Sequence, residues 1–532
     1  MLDRISKCLV KFRRLPTAAA VVAFALPAFA DSTTLRIAMN ASLGGIDPVF
    51  NTATYARDHG YLVYDQLFAL DSEGNPQPQM VGDYSVSDDG LEYSFTLREG
   101  LRFHDGAPVE AEDAVASILR WKDKDTVGRT LFRAGAKLEV VDEKTFTLTL
   151  EKPFGLVLDA MARSTANALF VMPKEVAATP ASEQITSAVG SGPFIFDSEN
   201  WRPGDKAVYR RNPDYVPRDE PADGLAGGKR ALVDVVEWVT IPDANTAVSA
   251  LIAGEIDVLE QPPLELYPMI EATPGVRLEV IDPNGRMVWI RPNHLNPPLD
   301  DPRARRAILL SVNQKANMQA VGAQEGDYYE FCGAYFLCGT PLETSAGAEG
   351  LGAPQHEAAQ ALLNEMGYDG EEIVLLQATD AAANSAATLV LADGLRKSGF
   401  NVKLEAMDWG TLSQRRNVKD IDGEGAWHLF ITTVSALDAG SPLVNPYLAS
   451  PCPNSIAGFS CSEELEAARE AWWSEPDADK RRELLDAVQI EAYKHLPYIN
   501  GGQWRTFAAV QESVQGIRPI TVPVFWGVSK SE

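Results

Sequence analysis

One stretch of the chain, residues 91–122, combines a strand pattern and a helix pattern on either side of a single turn. Its first part, LEYSFTLREGLRF, alternates apolar and polar residues, which is typical of a strand with one buried face. The segment HDG at 104–106 favours a turn, because glycine tolerates a positive φ angle. At 111–119, AEDAVASIL places apolar residues at helical spacing and acidic residues at the helix N-terminus. The stretch therefore predicts a strand, a turn and a helix, in that order.

The length of the chain and its composition limit the class of protein. With 532 residues the chain is too long for one ordinary core, and two or three packed lobes are expected. Apolar and charged contents of 45% and 23% are those of a soluble globular protein, and the net charge of −27 argues against a nucleic-acid partner. Residues 372–412 alternate strand and helix patterns, which predicts an α/β fold with a mixed or parallel sheet.

The first 30 residues have the parts of a secretory signal peptide. Five basic residues precede an apolar run at 18–26, and AFA at 28–30 fits the small-x-small rule for cleavage after Ala30. The apolar run is too short to span a membrane, which argues against a transmembrane anchor. We therefore expect residues 1–30 to be removed and the mature protein to be periplasmic.

Four cysteines remain after the signal peptide and form two local pairs, Cys332 with Cys338 and Cys452 with Cys461. An even number of cysteines in an oxidising compartment predicts two disulfides with these pairings. A zinc site is the alternative, although neither pair has the CxxC-like spacing or the nearby histidine that such a site needs.

Several short motifs follow one another along the chain in a defined order. They are LREGLRFHDG at 97–106, AED at 111–113, GSGPF at 190–194, RNPDY at 211–215, ALIAGEID at 250–257 and DPRARRAI at 301–308. Each resembles a segment of the large solute-binding proteins of ABC importers, the group that takes up dipeptides, oligopeptides and nickel complexes. The resemblance covers most of the mature chain, but these motifs belong to the scaffold and leave the ligand open.

The resemblance implies an α/β chain with the two-lobed periplasmic-binding-protein fold, type II in its large cluster C form. Lobe I is expected at 31–284 plus 500–532, with an extra subdomain inserted at roughly 70–200, and lobe II at 285–499. In this family the lobes close over a ligand and deliver it to the transmembrane subunits of an ABC permease. The resemblance implies that the protein is a monomer, is not an enzyme and needs no cofactor or metal.

The resemblance also places a ligand-binding site between the lobes. Peptide-binding members carry an acidic residue just after the last strand of lobe II, where it holds the α-ammonium of the ligand. The segment VSALD at 434–438 occupies this position, so Asp438 is the candidate carboxylate, with Ser435 and Ala436 beside it. The tryptophan of the family's G-W-x-x-D pattern is missing here, which puts a simple dipeptide in doubt.

Four further residues are candidate ligand contacts by the same resemblance: Arg416, Trp409, Thr54 and Trp504. Arg416 matches a position where some oligopeptide binders have an arginine near the ligand, and it could meet a carboxylate. Thr54 lies where a loop of lobe I approaches the ligand, and the two tryptophans could form the floor of the cleft. The structural alternatives are a turn for Asp438, a surface position for Arg416 and core positions for the tryptophans.

The chain shows little that points to catalysis. It contains no HExxH, no G-x-S-x-G and no Cys–His arrangement. We therefore expect the extracytoplasmic substrate-binding component of an ABC importer, with short peptides or peptide-like amino compounds as ligands. A metal chelate, an opine or an oligosaccharide is the alternative ligand for the same fold. A secreted hydrolase or a chemosensory receptor protein is the alternative from another class.

Overall fold

The structure is a computed structural model that describes residues 33–50, 52–419, 423, 425–453 and 455–531. The signal peptide predicted at residues 1–30, with its cleavage point, lies outside the described residues. The strands are β1 (Thr34–Ala38), β2 (Phe68–Leu70), β3 (Pro76–Pro78), β4 (Val81–Val86), β5 (Glu92–Leu97), β6 (Lys137–Val140), β7 (Thr145–Thr149), β8 (Phe194–Phe196), β9 (Lys206–Arg211), β10 (Val235–Val239), β11 (Val258–Leu259), β12 (Val276–Pro292), β13 (Glu372–Ala378), β14 (Asn401–Met407), β15 (Leu429–Ser435), β16 (Ile499–Gln511), β17 (Val514–Gln515) and β18 (Ser529–Lys530). The α-helices are α1 (Thr54–Val63), α2 (Ala111–Lys124), α3 (Thr126–Arg133), α4 (Val157–Ala162), α5 (Lys174–Ala177), α6 (Ala244–Ile252), α7 (Tyr267–Glu271), α8 (Pro302–Ser311), α9 (Gln314–Val321), α10 (His356–Met366), α11 (Ala382–Lys397), α12 (Trp409–Arg415), α13 (Glu463–Ser474) and α14 (Ala478–His495).

A ten-stranded sheet organises the described part of the chain, in the order β14-β13-β15-β12-β16-β11-β1-β10-β9-β8. At one end β1 is parallel to β10 and β11, and at the other β13 is parallel to β14 and β15. Between these two groups, β12 and β16 are antiparallel to each other and to their outer neighbours. The mixed sheet predicted from the strand and helix patterns is therefore confirmed.

Strands β12 and β16 connect the two groups of strands and are long, with 17 and 13 residues. Their pairing shifts register between Val280 and Asp282 and again between Asp282 and Arg286. Gly285 lies in this irregular part with φ 61°, and a Cβ there would approach the carbonyl oxygen of Trp504 to 1.9 Å, so only glycine fits. Irregular pairing bends a strand, so the sheet changes direction between its two groups.

The stretch at 91–122 forms the structure that its pattern predicts. β5 occupies the four-stranded sheet β4-β5-β7-β6, and its Tyr93, Phe95 and Leu97 are buried. α2 follows the turn and begins with a capping box, in which Glu110 and Asp113 satisfy each other's backbone N–H groups. The acidic residues that predicted a helix start therefore form its cap.

One hydrophobic cluster runs from the four-stranded sheet to the part of the large sheet that holds β13 and β15. It contains Phe95 and Phe154 from the first region and Leu375, Leu429 and Trp472 from the second. A separate cluster surrounds β1 and β10. The four-stranded sheet therefore shares a core with a sequence-distant region.

Both predicted disulfides are confirmed. Cys332 and Cys338 have a Cα–Cα distance of 5.8 Å, and Cys452 and Cys461 have one of 4.9 Å. No helix in the described ranges is long and apolar enough to cross a membrane.

Candidate functional site

Asp438 lies in a single helical turn directly after β15, at the bend between the two groups of strands. Its carboxylate is half-buried, and within the described ranges it accepts no hydrogen bond and has no cation within 4.0 Å. Burial raises the pKa of this carboxyl, and the charges of Arg57, Arg163 and Arg286 act in the opposite direction. Asp438 is therefore a desolvated carboxylate that has cationic neighbours but no direct partner.

Arg286 brings two of the candidate residues together. On β12 it pairs with Ser435 of β15 on one side and with Trp504 of β16 on the other. Its guanidinium donates only long hydrogen bonds, of 3.4 and 3.5 Å, to Thr433. Burial lowers the pKa of Arg286, against the charges of Asp438 and Asp282. The guanidinium is therefore available to an anionic group near Asp438.

A second set of buried charged groups comes from α1 and from the residue that follows β11. Arg57 is ion-paired with Asp58 at 2.8 Å, and both side chains are buried. Glu260 follows β11 and accepts a 2.7 Å hydrogen bond from the backbone N–H of Asn40. Burial, with a smaller contribution from the charge of Asp58, raises the pKa of Glu260 to about 7.

A cavity of about 740 Å³ adjoins Asp438, since Leu437 and Gly440 form part of its wall. Other parts of the wall come from the β2–β3 hairpin, from α4 and from the beginning of α14. Pockets of about 300–1,000 Å³ typically hold small organic ligands, so this cavity suits a short peptide. Its wall contains residues from both of the regions that the shared hydrophobic cluster connects.

The seven candidate residues have different surroundings, and none of them lies on the wall of this cavity. Thr54 is exposed at the first position of α1, and Trp504 is buried in β16. The guanidinium of Arg416 lies 5.4 Å from the ring of Trp409 and 5.6 Å from that of Phe430. Ser435, buried Ala436 and Asp438 are nearly consecutive in the chain and lie beside the cavity.

Sequence reasoning missed the charged residues that surround Asp438. Arg57 and Arg163 are distant in sequence, and no spacing or motif connects them to residues 434–438. Arg286 does begin an apolar strand pattern, RMVWIR, and a charged residue at the edge of such a strand is the one available signal.

The described residues offer no metal centre. No group of three or more His, Cys, Asp or Glu side chains within those ranges is arranged to hold a metal ion. Beside the cavity lie the carboxylate of Asp438 and the guanidinium of Arg286, two groups that can form charge-assisted hydrogen bonds with groups of opposite charge.

Known proteins resemble this chain in sequence and in fold. A protein of Sinorhizobium fredii (strain NBRC 101917 / NGR234), described as a probable peptide ABC transporter periplasmic-binding protein, y4tO, is 37% identical over 509 residues, 95% of this chain and 94% of that protein. The solved structure of AgaA from A. tumefaciens R10 with agropinic acid has a TM-score of 0.73 at 24% identity, covering 94% of this chain and 99% of that one. DppA from Helicobacter pylori with the peptide STSA has a TM-score of 0.73 at 21% identity, covering 94% and 99%.

The fold is the two-lobed α/β fold of periplasmic binding proteins, with a cleft beside the connecting strands. The sequence model of the bacterial extracellular solute-binding proteins, family 5, matches residues 75–435, and the chain belongs to this family. The family resemblance and the fold class predicted from the sequence motifs are thereby confirmed.

Proposed function

We propose that this chain captures short peptides or peptide-like amino compounds in its cleft, as the substrate-binding component of an ABC importer. The observation that carries the proposal is the carboxylate of Asp438, which no described residue pairs with, beside a cavity of about 740 Å³, with the weakly bonded guanidinium of Arg286 close to it. A ligand ammonium would form a charge-assisted hydrogen bond with this carboxylate. Ser435 and Ala436 would contact the same part of the ligand.

Two relatives support a peptide-like ligand. The similar protein of Sinorhizobium fredii is described as peptide-binding, and the Helicobacter pylori structure contains a peptide. The AgaA structure contains agropinic acid instead, so an opine is the alternative for which a similar fold gives support. Either ligand would be returned unchanged, and we propose that the chain is not an enzyme.

The remaining predictions about the chain are part of the same proposal. Lobe I would comprise 31–284 plus 500–532 with its inserted subdomain at roughly 70–200, and lobe II would comprise 285–499. The register shifts of β12 and β16 near these limits support the division. We further propose cleavage after Ala30, a periplasmic monomer, and the transmembrane subunits of an ABC permease as partners.

The role of Asp438 is tested with peptides that do or do not carry a free amine. Asp438→Asn should weaken binding of free-amine peptides by about tenfold or more, because a hydrogen bond to a charged group contributes about 1.5–3 kcal/mol. Binding of the same peptides after N-acetylation should change little. Asp89→Asn, in an exposed turn, serves as the control. Equal losses for both forms of the peptides would remove Asp438 from the site.

A further inference from the structure

Arg481 is a second cation, after Arg286, that could bind an anionic group of the ligand, and it lies on the wall of the cavity. It lies near the start of α14 and is half-buried. Its Nη1 donates to the carbonyl oxygens of Glu475 at 2.7 Å, Pro476 at 2.9 Å and Gly155 at 3.2 Å. The side chain is therefore held in place by backbone groups from two distant segments of the chain.

The other donors of this guanidinium have no partner among the described residues. Within the described ranges Nε and Nη2 of Arg481 donate no hydrogen bond, and no carboxylate lies within 4.0 Å of the group. The nearby charge of Asp477 is used to cap α14 through the N–H groups of Asp479 and Lys480. A guanidinium that is fixed but only partly bonded matches the planar, two-oxygen geometry of a carboxylate.

Asp159 of α4 lies near Arg481 on the cavity wall, at more than salt-bridge distance. Burial raises the pKa of its carboxyl, and the charge of Arg481 acts against that shift. The two groups also act in opposite directions on the pKa of Tyr93, which burial raises. Asp159 and Arg481 thus lie on the same cavity wall, and among the described residues no carboxylate forms a direct ion pair with Arg481.

The other arginines on the wall are less suitable for holding an anion. Arg163 already binds Asp125 at 2.6 Å. Arg482 is exposed and donates to the carbonyl oxygens of Pro341 and Glu343. Arg505 donates to Gly326 and lies 6.0 Å from the ring of Tyr329. Among these four, Arg481 makes the largest number of hydrogen bonds to backbone carbonyls, three, and its Nε and Nη2 are used by no described residue.

We propose that Arg481 binds a carboxylate of the ligand, so that the ligand carries a free carboxyl terminus or an acidic side chain. This inference rests on the proposed function, and it assigns Asp438 to the ammonium and Arg481 to the carboxylate of one ligand. Asp159 adds a negative charge next to the incoming carboxylate, and it therefore weakens binding rather than supporting it. A ligand with both charges fits the cavity better than a neutral or blocked one.

The test uses a peptic digest of casein as the ligand pool, before and after methyl esterification of its carboxyl groups. Each pool is mixed with the mature protein, and the peptides that co-elute on gel filtration are quantified by mass spectrometry. The variants are Arg481→Gln, Arg481→Lys and Asp159→Asn. Lys480→Gln is the matched control, because it removes the same charge from the adjacent position of α14, where the side chain is exposed and does not lie on the wall of the cavity.

We expect substitutions of Arg481 and of Asp159 to have opposite effects on the capture of peptides. Arg481→Gln should reduce capture of the untreated peptides by about tenfold or more, to the level of the esterified pool. Asp159→Asn should capture untreated peptides at least as well as the unchanged protein does. Arg481→Lys, which keeps the positive charge, should retain part of the preference for untreated over esterified peptides. Lys480→Gln should behave as the unchanged protein does. Circular dichroism and the thermal midpoint establish that each variant is folded.

Three results would overturn the proposal, and they differ from one another. If the unchanged protein captures both pools equally, Arg481 does not bind a carboxylate of the ligand, but the proposal of peptide binding is unaffected. If Asp159→Asn reduces the capture of untreated peptides as much as Arg481→Gln does, the two residues act as a structural ion pair. If the unchanged protein captures no peptide from either pool, the proposed peptide function fails and this inference with it.

Discussion

The backbone N–H of Gly155 donates a 2.9 Å hydrogen bond to the carbonyl oxygen of Trp473. This bond joins the loop before α4 to the end of α13, next to the wall of the cavity. Arg481 adds its own hydrogen bond to the carbonyl oxygen of Gly155, and buried Phe154 and Trp472 belong to one hydrophobic cluster. Two sequence-distant parts of the chain are thus held together beside the proposed ligand.

Gly155→Ala should break this contact. A Cβ at Gly155 would lie 2.0 Å from the carbonyl oxygen of Glu475 and 2.9 Å from Nη1 of Arg481, so the backbone of Glu475 would have to move. We expect a loss of about 1–3 kcal/mol in the free energy of unfolding, and a larger radius of gyration of the ligand-free protein by small-angle X-ray scattering. Gly45→Ala, whose Cβ would have its nearest neighbour at 3.7 Å, is the control. An unchanged scattering profile for Gly155→Ala would show that the contact does not hold the two parts together.

The buried ion pair of Lys229 and Asp65 should be essential to stability. The two groups lie 2.7 Å apart with both side chains fully buried, and Tyr215 donates a second bond of 2.8 Å to the carboxylate. Asp65→Asn leaves the ammonium buried without a counter-ion and should cost about 3–5 kcal/mol, measured by urea unfolding.

An exposed ion pair provides the comparison for Asp65→Asn. Lys137 and Glu151 lie 2.9 Å apart with side chains 69% and 65% exposed. Glu151→Gln should therefore change the free energy of unfolding by less than about 1 kcal/mol. Similarly small losses in the free energy of unfolding for Asp65→Asn and Glu151→Gln would contradict the large contribution expected of the buried pair.

Glu260 should make the stability of the protein depend on pH. Its pKa is raised from 4.5 to about 7, first by burial and then by the charge of Asp58, against the charge of Arg57. Between these two values the folded state keeps a proton that the unfolded state has released, so stability falls as pH rises from 4.5 to 7 and levels off above 7. The slope from this group is at most about 1.4 kcal/mol per pH unit.

Glu260→Gln should remove this part of the pH dependence. The amide oxygen of glutamine can still accept the hydrogen bond from the backbone N–H of Asn40, so the substitution should keep this hydrogen bond. Urea unfolding at pH 5, 6, 7 and 8 should give a flatter profile for the variant than for the unchanged protein. Parallel profiles would mean that Glu260 does not titrate in this range.

The scaffold could be predicted from the sequence because its signals are local. The alternation at 91–97 and the acidic residues at 110–113 predict β5 and the start of α2 without reference to distant residues. The disulfide pairs are also close in sequence, so compartment and spacing sufficed to predict Cys332–Cys338 and Cys452–Cys461.

The cavity wall could not be predicted in the same way, because it depends on which distant segments come together. Arg481 and Asp159 lie on separate helices, α14 and α4, and the hydrogen bond from Gly155 to Trp473 joins the segments that precede these helices. Nothing in the local pattern of α14 distinguishes Arg481 from Arg482 beside it. Only the folded structure shows that Arg481 is bonded to three carbonyl oxygens from two distant segments, whereas Arg482 is exposed.

The most direct test of the account is native mass spectrometry of the mature protein purified from its own host, followed by denaturation and identification of the released molecule. The account predicts one bound molecule per chain, released unchanged, with both an amino and a carboxyl group, such as a short peptide. A released neutral oligosaccharide or metal complex would contradict the proposed ligand while leaving the family assignment intact. Release of a hydrolysed product would contradict the proposal that the protein is a binding protein rather than an enzyme.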